Sequence, residues 1–297
     1  MALVDLVISG LETGSFIAVA AIGITLVYGF TDMINFAHAE FMVIGAYVGV
    51  LSVNALGLPL IGALVLVPLV SAAAGWAVAR TFFMPIREAG PIPLLVTSIG
   101  VGLLLRFGIQ ITASPTPRYL DLGFVSETVT VGGVTMASYT PLVIGIAAAS
   151  FVLLHLLLTR TTLGTALRAM GANEDLALVT GIDTDRLRHY IWLISSAMGG
   201  LAGFLLTFPL FAIPSLGFQQ IIIVIAAAIL GGAGSVYGAI AGAYVLGLTI
   251  AISTGMLLPA WGTNLGTTVA FVVLFLVLLV RPGGIAGAEV TKMREVA

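Results

Sequence analysis

The sequence predicts an all-α polytopic membrane protein with eight or nine transmembrane helices. Three observations carry that prediction. Charged residues make up 8% of the 297 positions and hydrophobic residues 60%, with a mean hydropathy of +1.18. A soluble domain has about 25% charge, so too little is present to coat a surface facing water. Runs of roughly 20 apolar residues, the length that crosses a bilayer as a helix, recur along the chain. These runs do not alternate in polarity, which excludes the spanning β-barrel.

Taken in order, the apolar segments fall near 8–29, 40–56, 60–82, 92–112, 140–159, 191–211, 219–233, 236–256 and 263–281. The two that flank "GGAGSVYG" read either as separate spans or as one broken element, which gives nine or eight. The opening "MALVDLVISG" carries no Lys or Arg and reads as the start of a span, not as a cleaved signal. Arg80 and Arg87, then Arg160, Arg168, Arg186 and Arg188, then Arg281, Lys292 and Arg294 hold nearly all the positive charge. The positive-inside rule places those connections in the cytoplasm and the Ser/Thr/Pro-rich loop at about 113–139 outside. The whole chain, 1–297, is thus expected to be one transmembrane domain of a multi-pass plasma-membrane protein, with a cytoplasmic loop at about 160–188 and a cytoplasmic tail at 282–297. Nine spans require an external N-terminus and eight an internal one. The absence of cysteine excludes disulfides and thiolate chemistry. The net charge of −2 carries no nucleic-acid footprint.

Glycines four residues apart, Gly45/Gly49, Gly199/Gly203 and Gly234/Gly238/Gly242, have the small-xxx-small spacing that lets helices approach closely in lipid. The run Gly234, Gly238, Gly242 is the leading candidate for a helix-packing seam.

Polar residues are rare enough in the apolar segments for each to need a reason. "FTDMINFAHAEFMVIGAY" holds Asp32, Asn35, His38 and Glu40. A metal site is excluded on spacing: on a helix His38 and Glu40 point to different sides, and no second histidine is near. Asn35 or Asp32 can cap the helix that follows; alternatively Asn35, His38 and Glu40 line a solute pathway or gate. A second irregular stretch, "FPLFAIPSLGFQQIIIVIAAAILGGAGS", is interrupted at Pro209, Pro214 and Gly217 and ends in the turn of Gly232 and Gly234. Non-helical backbone at membrane depth is tolerated where it lines a cavity, so Pro214, Gly217, Gly232 and Gly234 join the candidate pathway. The layout loosely echoes residues 29–49, leaving an internal repeat open. Arg106, deep in the fourth span, is expected to pair or to serve transport; His155 lies near the cytoplasmic end of the fifth.

The loop "TRTTLGTALRAMGANEDLALVTGIDTDRLRHY" predicts two short surface helices. One runs from Leu163 to Met170 and stops at Gly171. Asn173 caps the second, with Glu174 and Asp175 in its first turn, and that helix ends near Thr180 at Gly181. Asp183 or Thr184 caps the next span. The pair forms either an interfacial amphipathic loop or a docking surface anchored by Leu176, Leu178 and Val179.

The pattern Arg168-Ala-x-Gly-x-Asn173-x-x-x-Ala-x-x-x-Gly181-Ile-Asp183 between two spans resembles the cytoplasmic loop of ABC importer permeases. It is most similar to the branched-chain amino acid permease family of the LivH type. "INFAHAEFMVIGAY" (34–47), "GGAGSVYGAIAGA" (231–243) and "RPGGIAG" (281–287) agree in the family's order; Ala39 and Gly283 depart from its Gly and basic residue. The resemblance implies a permease subunit working by alternating access, with a second permease, two ATPase subunits and a soluble solute-binding protein. It implies that the loop carrying Arg168, Asn173, Glu174, Asp175, Leu176, Gly181 and Asp183 couples to the ATPase. No G-x-x-x-x-G-K-[ST] loop is present and the sole lysine is Lys292, so ATP and any cofactor belong to partner chains. Two further readings stand beside it: an ion-gradient-driven transporter or channel using Asp32, His38, Glu40 and Arg106, and a permease for urea or amides. An intramembrane enzyme lacks paired catalytic residues and HExxH.

Overall fold

The computed structural model describes residues 3–113, 116–123, 125, 127–131, 133–257 and 265–286. Most of the tail expected at 282–297, with Lys292, lies outside the described residues. Each of the nine apolar segments falls on one helix: α1 (Leu3–Thr31), α2 (His38–Asn54), α3 (Leu60–Val78), α4 (Pro91–Ala113), α5 (Thr140–Arg160), α8 (Thr184–Leu206), α9 (Leu216–Gly231), α10 (Val236–Ile252) and α11 (Leu265–Val280). The loop helices are α6 (Thr162–Ala172) and α7 (Glu174–Val179). Six helical stretches among the described residues are long and apolar enough to cross a membrane, whereas α2, α9 and α11 have only 17, 16 and 16 residues. Between α9 and α10 the chain turns at Gly232 and Gly234, with φ of 105° and 90°. This left-handed backbone favours glycine and makes two helices where one broken span was the alternative.

The largest boundary difference is at α8, predicted from 191 and found from Thr184. Its first two turns are polar, so apolar runs alone do not register them. α3 continues through a π turn (Ala79–Phe83) and a 3-10 turn (Met84–Ala89) before Gly90 admits α4. The loop between α4 and α5 adds an antiparallel hairpin, β1 (Thr128–Val131) with β2 (Val134–Ala137). It is tied to the helices where Asn54 donates to the Tyr119 carbonyl at 2.8 Å and Arg118 bridges to Ala212.

α1 and α8 form the centre, α1 being buried continuously from Gly14 to Val27. In lipid no hydrophobic force drives helices together, so close van der Waals packing must hold them. A Cβ on Gly45 of α2 would collide with the Gly200 backbone of α8, and one on Gly203 of α8 with the Met42 carbonyl of α2. Gly238 and Gly242 on α10 abut Gly231 and Ala227 on α9. Gly234 itself precedes α10, so the predicted seam of three begins at Gly238. "RPGGIAG" closes the same corner: Ile285 and Ala286 donate backbone N–H groups to the carbonyls of Leu230 and Gly231 at the end of α9, at 2.9 and 3.0 Å.

Candidate functional site

Two polar regions stand out, one at the loop between α5 and α8 and one inside the bundle. In the loop, α6 continues one residue past Gly171. Gly171 is helical, and the chain turns instead at Asn173, whose backbone is extended (φ −161°) and which ends α6 and begins α7 together. Asn173 Oδ1 accepts from Leu176 N at 2.9 Å, the expected cap, with Glu174 and Asp175 in the first turn. The far end is closed by Gly181 at φ 86°, where Gly181 and Ile182 donate to Leu178 and Ala177 carbonyls at 3.0 Å each. Asp183 then caps α8 through Arg186 N at 2.9 Å. Ala177 is the inward-facing residue of α7, 3% exposed, while Leu176 and Leu178 are exposed and Val179 is 85% exposed. Three apolar side chains on six residues thus point away from the body of the protein.

Charges the sequence did not connect fix α7 in place. Arg188 on α8 pairs with Glu174 and with Asp185, and Asp185 accepts from Arg87 Nη1 at 2.6 Å. One cluster therefore joins the loop helix, the start of α8 and the turn that leads into α4. Arg168 sits elsewhere, donating to the Leu158 carbonyl at the end of α5.

Inside the bundle, α1 ends at Thr31 and Asp32 takes a left-handed conformation, φ 51°. Residues 33–35 are then non-helical and lead back along α1, so that His38 reaches Gly23. Met33, Asn35 and Ala37 are buried. Asn35 Oδ1 accepts from Ala37 N at 3.1 Å, and Phe36 N donates to Ser98 Oγ of α4 at 3.1 Å. Neither Asn35 nor Asp32 caps α2: its cap position is Ala37, without a side-chain bond, because a turn at Phe36 and Ala37 intervenes.

As a result α2 starts well inside the bundle. His38 packs on Gly23, eight residues from the end of α1, or about 12 Å at 1.5 Å per residue. Ala37 lies beside Gly102, eleven residues into α4 and about 16 Å from its start. Gly23 and Gly199 leave the space that the His38 ring fills, and Ser195 Oγ closes the contact by donating to the Gly23 carbonyl at 2.8 Å. The ring is fully buried; the Ala20 backbone lies against it without a hydrogen bond of good geometry. Glu40 points the other way. Its Oε1 accepts from Arg106 Nε at 3.0 Å and Nη2 at 2.7 Å, and Phe218 lies over that guanidinium at 4.4 Å. Glu40 Oε2 and Asn35 Nδ2 are buried without partners.

The start of α9 meets the start of α2, since a Cβ on Gly217 would collide with the Ala39 carbonyl. The close approach is made possible by glycine on α9, which is why alanine fits at 39. Pro214 is buried in the non-helical stretch just before α9, and Gly232 and Gly234 lie at its opposite end against Gly284 and Gly29. His155 shares a 2.7 Å hydrogen bond with the Tyr237 hydroxyl at the surface. The described residues hold no group of three or more His, Cys, Asp or Glu able to bind a metal. The pairing of Glu40 with Arg106 went unread in the sequence; the available signal was that charges within a membrane seek partners.

A family model described as branched-chain amino acid transport system / permease component matches residues 6–279. The chain is 34% identical to the high-affinity branched-chain amino acid transport system permease protein LivH of Escherichia coli K12, over 96% of each chain. It is 31% identical to the corresponding protein BraD of Pseudomonas aeruginosa, again over 96% of each. Among solved structures, PsaBC from Streptococcus pneumoniae in complex with Fab is similar at 17% identity and a TM-score of 0.46, over 91% of this chain and 90% of that one. The family model and the curated relatives place this helical multi-pass chain among membrane permease subunits. The chain belongs to the branched-chain amino acid transport system permease family.

Proposed function

We propose that this chain is the transmembrane subunit of an ABC importer for branched-chain or related hydrophobic amino acids. It works with a second permease, two ATPase subunits and an extracytoplasmic solute-binding protein. The observation that carries the reading is α7, a doubly capped helix presenting Leu176, Leu178 and Val179 outward on the side of the basic connections. An ion-driven carrier has no need of such a projection. ATP is bound by the partner chains, because this sequence has no phosphate-binding loop.

The geometry supports a route for the stroke. ATPase closure moves α7, and the Glu174–Arg188–Asp185–Arg87 cluster passes the motion to α8 and α4. Those two helices hold the junction through Ser195 and Gly199 on one side and Ser98, Gly102 and Arg106 on the other. Asn35, His38 and Glu40 then form the inner part of the solute path or gate, at the start of a helix whose N-terminus favours negative charge.

Reconstitution tests the reading. Uptake of leucine into vesicles should require the ATPase and binding protein and persist when ion gradients are collapsed; uptake by this chain alone down an ion gradient would refute it. At residue level, Glu174→Lys with Asp175→Lys should weaken assembly with the ATPase while membrane insertion survives. Because Glu174 also pairs with Arg188, Asp175→Lys alone isolates the docking effect.

A further inference from the structure

A cavity of about 280 Å³ opens at the cytoplasmic end of the bundle, between the end of α1, the turn before α4, α7 and the start of α8. At roughly 30 Å³ per water it holds about nine water volumes, the bulk of a small amphipathic solute. Met33, Phe83, Leu94 and Trp192 form its apolar lining, all of them buried. Charges of both signs complete its polar rim: Arg87 and Arg188 against Asp32 and Glu174. Asp32 is the one non-glycine residue among those described with positive φ, and backbone strain of this kind concentrates at functional sites. Every wall comes from this chain, and none of Asn35, His38 or Glu40 contributes.

An apolar pocket with paired cationic and anionic groups at its mouth matches a small zwitterion with an apolar side chain. Arg87 offers five N–H donors; among the described residues it hydrogen-bonds Asp185 and its Nε lies 3.7 Å from the Glu88 carboxylate. Donors remain for a carboxylate, and an ammonium group entering the rim meets the carboxylates of Glu174, here paired with Arg188, and of Asp32. The same Glu174, Arg188 and Arg87 hold α7 against α8. We propose that this cavity binds the free hydrophobic amino acid on the cytoplasmic side, and that occupancy draws these side chains away from one another and slows the importer. The identity of the ligand rests on the function proposed above; the site and its link to α7 rest on the cavity.

The test uses the assembled transporter in vesicles with the ATPase face outward. Leucine added on that face should lower ATP hydrolysis, whereas leucinamide and 4-methylpentanoate, each lacking one charge, should not. Leu94→Phe, which fills the cavity, and Arg87→Gln, which removes a carboxylate donor, should each abolish the inhibition, read as a ratio within each variant. Inhibition that survives both variants comes from solute re-entering the transport path and overturns the proposal. Inhibition that follows phosphatidylethanolamine content and not leucine assigns the cavity to a lipid headgroup and overturns it equally. Binding of radiolabelled leucine without ATP separates the two readings. Binding sensitive to Leu94→Phe in a complex that imports no amino acid upholds the site and refutes the transport assignment. Import without such binding does the reverse.

Discussion

Glu40 and Arg106, 66 positions apart, form an ion pair inside the bundle. Each charge alone costs about 2.5–3.5 kcal/mol at the centre of a membrane helix, and breaking a buried pair leaves the survivor uncompensated. Arg106→Ala should therefore destabilise the purified protein by about 3–5 kcal/mol, seen as a lowered thermal midpoint in detergent. Glu40→Leu with Arg106→Leu should recover most of that loss, because neither charge is then stranded. A double variant as unstable as the single one would show that the residues are held for packing and not for charge. Gly203→Val tests the other residue-scale constraint: its side chain meets the Met42 backbone, which cannot move aside, so folded yield should fall sharply in a size-exclusion assay. The sequence displayed both charges and the glycine spacing. It did not display that Glu40 faces Arg106 while His38, two residues earlier, faces Gly23 and Gly199, because that pairing depends on where α2 begins.

The caps of α7 were legible as residue types at fixed offsets: Asn173 before two acids, Gly181 after the last turn, and Asp183 ahead of α8. These are local interactions, closed within three or four residues, so local sequence decides them. Gly171 misled because the extended backbone of Asn173 ends α6 as well as starting α7, leaving glycine with no terminating role. The cluster that ties α7 down is non-local and was unread. It predicts that Glu174→Arg and Arg188→Glu each reduce solute-stimulated ATP hydrolysis, and that combining them restores part of it. An absence of rescue would mean that the charges act on a partner subunit and not on each other. The start of α8 was missed for a related reason: its two polar turns lie outside the apolar core, where hydropathy carries no signal.

At the scale of the molecule, nine membrane helices would put the two chain ends on opposite sides and eight would put them on the same side. The natural absence of cysteine makes this directly measurable. Val179→Cys should react with an impermeant thiol reagent only from the cytoplasm, and Leu3→Cys and Tyr119→Cys only from outside; all three positions are exposed. Labelling of Leu3→Cys from the cytoplasm would restore an even number of spans. Residues 29–49 and the region around Pro214 share a sequence of elements. α1, a non-helical junction and the short α2 are followed later in the chain by α8, a second junction and the short α9. The two short helices meet at Gly217 and Ala39. Apolar faces of α3, α4, α5 and α11 remain exposed, among them Ile61, Leu104, Leu153 and Phe275, as suits surfaces covered by lipid or by another permease.

The sequence by itself determined the membrane class, a helix under each of the nine apolar segments and the capped helix of the loop between α5 and α8. All of these follow from composition or from interactions within a few residues. Only the tertiary structure decided that α2 begins inside the bundle, that Glu40 pairs with Arg106, that Gly217 receives Ala39, and that four charges from three elements lock α7 beside a cavity. The physical reason is separation along the chain. A bilayer selects apolar length segment by segment, whereas depth, facing and charge pairing are set when helices pack, and packing joins residues that no local pattern relates.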